Sequence, residues 1–250
     1  MVMAWRFFGK EAGNFRWDHY GGDRRAFLDT VFRAVRGLPD LMPVFSTDCT
    51  KFTNRIALEG RHELSWSRWF IQAGFPADGA IVTTRCKAIA MFTADCPIVA
   101  VFDPGNAFNR SPRVAMLHAG FRCLVTEDSN QKSIIEILFS DFKFPAAECE
   151  VFYGFGIGPC CYGANHIPEV QGSRNIALPI SRAIRGPRKG QNSVDLCAII
   201  RHQLLKSGVR EKSISCDRVC TSCEDHGAKY HSHCRDGKSA GRNAAFVWME

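Results

Sequence analysis

Ala90-Met-Phe-Thr-Ala-Asp-Cys96-Pro-Ile-Val-Ala-Val-Phe-Asp-Pro104, then a polar insert, then Arg113-Val-Ala-Met-Leu-His118-Ala-Gly-Phe-Arg122 form the stretch that decides the fold. Residues 88–93, 98–102 and 114–117 are short apolar runs bounded by Pro, Gly, Asn and Asp. Runs of that length with those boundaries predict buried strands. The polar residues fall at the ends of the runs. Asp95 and Cys96 sit between two strands, and His118 closes a third ahead of Ala119-Gly120. A thiol and an imidazole at strand ends can converge on one site. Such a pair suits zinc, and equally a thiol nucleophile with an imidazole base.

Upstream, residues 80–84 predict a further strand after the turn Pro76-Ala-Asp-Gly79. Residues 63–73, with Leu64, Trp66, Trp69 and Phe70, are compatible with a helix. Residues 42–52 predict a short strand leading into a polar loop that carries Asp48 and Cys49. In residues 23–36, Phe27, Leu28, Val31, Phe32 and Val35 share one helical face with arginines opposite, and Gly37 and Pro39 end the pattern. Residues 1–22, aromatic and Gly-rich, predict strand fragments and loops.

Downstream, residues 104–112 read as a surface loop. A helix is expected over 129–139, capped by Asp128 or Ser129. A strand over 150–155 runs into Gly154-Phe-Gly-Ile-Gly158-Pro-Cys160-Cys161-Tyr162. Pro159 and the cysteine pair do not continue as a dinucleotide-binding helix, so these glycines read as a sharp turn allowing close backbone approach. Residues 183–191 form a basic loop. A helix over 194–207, capped by Ser193 and closed by Gly208, precedes strands over 213–219 and 244–249, and His202 falls on its solvent side. The expected fold class is α/β (mixed α+β): a single domain over residues 1–250, with mixed sheets flanked by helices.

The composition, 46% hydrophobic and 23% charged, is that of a globular chain with a substantial core. No apolar run has membrane-span length and no signal-peptide core is evident, which predicts a cytoplasmic protein without a membrane partner. Twelve cysteines show no regular disulfide spacing, and Cys86, Cys149 and Cys197 lie within apolar runs. Most therefore read as buried reduced thiols. The net charge of +7 suits an anionic small substrate or weak nucleic-acid contact without selecting either.

Two further groups carry chemistry. Cys220-x-x-Cys223, His226, His231-x-His233 and Cys234 hold the raw material of a structural zinc site, at a spacing unlike a zinc finger. Arg122 follows His118-Ala-Gly-Phe, and Arg235 and Arg242 sit in Gly-rich turns where arginine can bind phosphate bidentately.

Thr93-Ala-Asp-Cys96-Pro-Ile-Val, Leu117-His118-Ala-Gly-Phe-Arg122, Gly156-Ile-Gly158-Pro-Cys160-Cys161-Tyr162, Asp195-Leu196, Cys220-Thr221 and Arg235-Asp-Gly…Gly241-Arg242 occur in an order that resembles the polyphenol oxidase/laccase-domain purine nucleoside phosphorylase family. The resemblance implies a zinc enzyme that cleaves adenosine, and also inosine, guanosine or methylthioadenosine, with phosphate to the base and ribose 1-phosphate. Adenosine deamination is implied alongside. Two histidines and a cysteine hold the metal in that family, and the cysteine and second histidine fall on Cys96 and His118. The expected catalytic residues are His118, Cys96 and Arg122, and the substrate contacts Arg122, Arg242 and Gly158.

The first family histidine, within a Gln-Val-His-Gly phrase, is replaced here by Thr47-Asp48-Cys49-Thr50. Cys49 then serves as the third ligand with Cys96 and His118, or His62 reaches in, or the site is incomplete. A second thiolate would polarise bound water or phosphate less than imidazole does. Asp48 and Asp95 are expected either to orient ligands or to form turns. The expected partner is a small-molecule substrate on a monomer, with no nucleic acid. Other classes stay open: a non-catalytic binding or scaffold protein, a metal-free Cys–His hydrolase with Cys96 as nucleophile, and a copper oxidase, against which Cys49 in place of histidine argues.

Overall fold

Alternating side chains on the central strands build two cores at once. In β8 (Ile98–Asp103), Val99 and Val101 join one apolar cluster, while Ile98, Ala100 and Phe102 join another. A strand buried on both faces reads as an uninterrupted apolar run, which is how this one reads in the sequence. A computed structural model describes residues 2–16, 40–44, 56–58, 66–67, 70–71, 77–85, 87–106, 110–125, 131–163, 180–182, 192–223 and 229–250, together with Ala26, Asp29, Thr30 and Arg33 as helical positions.

β8 lies in a six-stranded sheet. Its members are β3 (Ile56–Leu58), β6 (Gly79–Val82), β9 (Arg113–His118), β8, β10 (Glu150–Gly156) and β13 (Ile214–Cys220), in the order β13-β10-β8-β9-β6-β3. The two outermost pairs, β3–β6 and β10–β13, are parallel and the inner pairs antiparallel. A four-stranded sheet has the order β1-β14-β7-β2, from β1 (Met3–Phe8), β14 (Asn243–Met249), β7 (Lys87–Thr93) and β2 (Asp40–Val44). Ile89, Met91, Ala245, Val247 and Met249 of this sheet meet Ala80, Val82, Ala100, Phe102, Val114 and Met116 of the other. Trp5 stacks on Phe152 at 4.0 Å and Phe7 on Phe155 at 4.2 Å, extending the contact between β1 and β10.

The other face of the six-stranded sheet is covered by α1 (Phe121–Leu124), α2 (Ile134–Ser140) and α3 (Leu196–Lys206). They bury Phe121, Ile134, Ile135, Leu138, Ile199, Ile200 and Leu204 against Val99, Val101, Leu117 and Tyr153. Each such apolar side chain contributes about 1.5–3 kcal/mol. The mixed α+β fold class is therefore the observed one. Among the described residues, no helix is long and apolar enough to cross a membrane.

Several local expectations are corrected. Residues 63–73 are not helical where described: β4 (Trp66–Ser67) and β5 (Phe70–Ile71) pair antiparallel. Their aromatic and β-branched residues favour extended backbone over the weak helical spacing. α2 begins later than expected. Ser133 accepts from the Glu136 N–H while Glu136 returns the bond to the Ser133 N–H, and this capping box overrides Asp128 and Ser129, which lie outside the described residues. α3 is capped by Asp195, which accepts from the Ala198 N–H at 3.0 Å, while Ser193 belongs to β12 (Asn192–Val194), paired with β11 (Ile180–Arg182). A carboxylate is a stronger acceptor for a helix N–H than a hydroxyl. The expected helix over 23–36 is described only at four helical positions, where Thr30 Oγ1 donates to the Ala26 carbonyl. The basic loop over 183–191 lies outside the described residues.

Candidate metal centre

Strand register brings one end of the six-stranded sheet to a point. Ile98 pairs with His118, and Ile98 also pairs with Gly154. The start of β8 thus lies beside the end of β9 and the end of β10. Cys96, two residues before Ile98, and His118 are brought to the same end. The Ala119 N–H donates to the Pro97 carbonyl at 2.8 Å and the Ile157 N–H to the Asp95 carbonyl at 2.7 Å, so the 94–97 loop is sewn to both neighbours.

Gly120 shows how closely thiol and imidazole approach. A Cβ there would lie 2.9 Å from Cys96 Sγ, 3.3 Å from His118 Cε1 and 3.5 Å from His118 Nε2. Gly120 caps α1 at φ −65 and ψ 161, a conformation open to any residue. Glycine is needed there for space, not for its backbone freedom.

The other ring nitrogen faces inward. His118 Nδ1 lies 3.6 Å from Asp78 Oδ1 and 3.8 Å from Cys123 Sγ, and all three residues are buried. The His118 N–H also donates to the Asp78 carbonyl at 2.7 Å. Burial alone would lower the imidazole pKa. The attraction of Cys96, with hydrogen bonds to Asp78, Cys123 and Cys96, outweighs it and holds His118 well above its ordinary value. Burial pushes the Cys123 thiol up to about 11, so it stays protonated at neutral pH. Asp78, His118 and Cys123 place their ligand atoms within 4.8 Å of one another, a group able to hold a metal.

Asp95 ties the surrounding segments together. Its Oδ1 accepts from Thr221 Oγ1 at 2.7 Å, and its Oδ2 from Ser232 Oγ at 3.0 Å and from the Cys234 N–H at 2.5 Å. Burial raises its pKa against the opposing pull of these bonds. Its φ of 78 lies in the left-handed region, where Asp and Asn are the best tolerated side chains after glycine. Of the two aspartates expected to orient ligands or form turns, Asp95 braces the loop that carries Cys96, and Asp48 lies outside the described residues.

The remaining expected site residues are placed as follows. Cys49 and His62 lie outside the described residues. Arg122 is the exposed member of α1, between buried Phe121 and Cys123. The Arg242 guanidinium donates to the carbonyls of Ala240 and Gly241 at 3.4 and 3.1 Å. The Gly158 N–H donates to Cys220 Sγ at 3.1 Å. Arg235 forms a two-bond contact with Asp236 at 2.7 Å on both arms and donates to the carbonyls of Thr221 and Tyr230. The described C-terminal histidines do not gather with Cys220 and Cys223: His231 Nε2 lies 3.3 Å from the Gly13 carbonyl and His233 is exposed, while His226 lies outside the described residues. Sequence reasoning passed over Asp78 and Cys123. Asp78 reads as a turn residue in Pro76-Ala-Asp-Gly79, and only the pairing of Gly79 with Leu117 puts it behind His118.

The sequence model of the family described as multi-copper polyphenol oxidoreductase laccase matches residues 45–250. The purine nucleoside phosphorylase YlmD of Geobacillus stearothermophilus is 30% identical over 172 residues, 68% of this chain and 59% of that protein. A purine nucleoside phosphorylase of Clostridium acetobutylicum is 30% identical over 171 residues, 67% of this chain and 65% of its own length. The chain thus spans about three fifths of the curated relatives it matches. The crystal structure of YlmD from Geobacillus stearothermophilus superposes with a TM-score of 0.71 at 22% identity, covering 100% of this chain and 92% of that one. The fold of the Bacillus licheniformis protein YfiH is also shared, with a TM-score of 0.63 at 21% identity over 90% of this chain and 81% of that one. The chain belongs to the multi-copper polyphenol oxidoreductase laccase family.

Proposed function

We propose that this protein is a zinc-dependent purine nucleoside phosphorylase, cleaving adenosine first among purine nucleosides with phosphate to adenine and ribose 1-phosphate. One observation carries the site: Cys96 Sγ and His118 Nε2 both border the space that Gly120 leaves open. A thiolate and an imidazole nitrogen fit zinc, which would displace the proton His118 otherwise keeps on the ligating nitrogen. Asp78 and the protonated Cys123 lie on the opposite ring nitrogen, as carboxylates do behind metal-bound histidines, where they fix the tautomer and strengthen the ligand. The metal therefore belongs on the Nε2 side. Cys49 is proposed as the third ligand.

Zinc held there would supply a Lewis acid for phosphate or water. The chain's own groups do the rest. His118 and Cys96 would hold the metal and so set which side of the site phosphate or water approaches. Arg122, exposed beside the site, takes the charge of the phosphate. Arg242 and Gly158 already serve neighbouring carbonyls and Cys220, and are proposed only as flanking substrate contacts. Breaking the ribose–purine bond builds positive charge on the sugar, which a phosphate held by Arg122 would meet. Adenosine deamination, and cleavage of inosine, guanosine and methylthioadenosine, are proposed as activities of the same site. The protein is proposed to work as a one-domain monomer in the cytoplasm, on small molecules and without nucleic-acid or membrane partners.

The zinc-loaded protein incubated with adenosine and phosphate is expected to yield adenine and ribose 1-phosphate in equal amounts, dependent on phosphate. Inosine formed without phosphate would report the deamination. No conversion of any purine nucleoside in the presence of zinc and phosphate would overturn the assignment. Adenosine cleavage that survives a chelator and dies on alkylation of Cys96 would favour the metal-free Cys–His reading instead.

Gly120→Ala tests where the metal sits. Its methyl group would enter the space between thiol and imidazole, while the backbone keeps an ordinary conformation. Zinc affinity, measured by competition with a chelating dye, is expected to fall at least about tenfold, as when a metal ligand's support is disturbed. The far-UV spectrum should be unchanged. Wild-type affinity in this variant would place the metal elsewhere.

A further inference from the structure

A second group of metal-ligating side chains lies beyond the Cys96–His118 pair. Cys160 and Cys161 follow β10, and Cys220 and Cys223 end and follow β13. All four thiol sulfurs lie within 4.8 Å of one another. Cys160 Sγ is 3.2 Å and Cys161 Sγ 3.7 Å from Cys223 Sγ. None of the described cysteines forms a disulfide. We propose that these four cysteines form a closed tetrathiolate site for one zinc ion, which ties the turn after β10 to the turn after β13.

The fold explains how cysteines so far apart in sequence meet. β10 and β13 are parallel neighbours, paired at their ends through Gly156 and Cys220. Their following turns therefore leave the sheet side by side. The Cys161 N–H donates to the Gly158 carbonyl at 3.0 Å within the turn after β10, and the Thr221 N–H donates to the Gly156 carbonyl at 3.1 Å, which joins the turn after β13 to the end of β10. Glycine at 158 leaves room: a Cβ there would lie 3.2 Å from Cys160 Sγ and 3.4 Å from Cys220 Sγ. The Gly158 N–H points at Cys220 Sγ from 3.1 Å, the backbone support that metal-bound thiolates receive.

The sulfur spacing matches the ion. Zinc–sulfur bonds of about 2.3 Å in a tetrahedron put neighbouring sulfurs about 3.8 Å apart. The observed contacts and the 4.8 Å limit bracket that edge. Four sulfurs within 4.8 Å of one another cannot all ionise without a cation between them. An all-thiolate set fills the four positions zinc takes in structural sites and leaves none for substrate. The site's position gives it a role. Thr221, between Cys220 and Cys223, donates to Asp95, which braces the loop bearing Cys96. Zinc here would hold that brace in place without touching substrate.

Zinc per chain should be counted on protein purified in reductant without added metal. Two equivalents are expected in wild type, and one in a folded Cys160→Ser or Cys223→Ser variant. If those variants do not fold, zinc-edge absorption on His118→Ala gives the same answer, since it should keep one zinc with a shell of four sulfurs at about 2.3 Å. A single zinc in wild type with a four-sulfur shell would support this site while sinking the Cys96–His118 one. A shell containing nitrogen or oxygen, iron in place of zinc, zinc content unchanged in folded Cys160→Ser, or these cysteines found as disulfides without metal would each overturn the proposal.

Discussion

His118→Ala is expected to lower the proposed phosphorolysis at least about a thousandfold and to remove the zinc proposed beside Cys96. The Lewis acid there is asked to supply several kcal/mol of transition-state stabilisation, and each 1.36 kcal/mol is a factor of ten in rate. Losing about 4 kcal/mol gives three decades. The fold should survive, because His118 lies at a strand end and Leu117 and Ala119 around it remain packed. Asp78→Asn provides the graded control. It keeps the shape behind Nδ1 but removes the charge, and loss of such a partner costs about 10–100-fold in metal affinity or activity. Full activity with full zinc content in His118→Ala would remove His118 from the site.

Asp95→Ala is expected to lower stability by about 4–10 kcal/mol. Thr221, Ser232 and the Cys234 N–H would lose their acceptor together, and a buried donor left unsatisfied costs about 1–3 kcal/mol each. Alanine also tolerates the left-handed backbone at this position less well, by about 1 kcal/mol. That sum is a large share of the roughly 5–15 kcal/mol that holds an ordinary domain folded. Asp95→Asn keeps one acceptor oxygen and tolerates the same φ, so its loss should be about half as large. Urea denaturation of both variants checks the order. Equal losses in the two would mean that the carboxylate charge, not its count of acceptors, matters most.

The parts of the fold that were legible share a physical origin. β7, β8 and β9 are buried on both faces, so their composition alone marks them, and the polar ends of the same runs marked Cys96 and His118. Features that depend on competition between neighbours were not legible. Ser133 outcompeted Ser129 as a cap because Glu136 stands three residues on to complete the box. Residues 63–73 carried a helical spacing that the extended pairing of Trp66–Ser67 with Phe70–Ile71 overrode. Long-range pairing was invisible altogether. Cys160 and Cys223 stand 63 positions apart, and only the parallel register of β10 and β13 joins them. The same holds for Asp78, whose role depends on which strand lies beside β9.

Anomalous scattering at the zinc edge from crystals of the protein, grown without added metal, tests the metal assignment most directly. A peak bridging Cys96 Sγ and His118 Nε2, with Cys49 as a third ligand, is the predicted result. A peak on the Nδ1 side, among Asp78 and Cys123, or no peak near His118 at all, would contradict it.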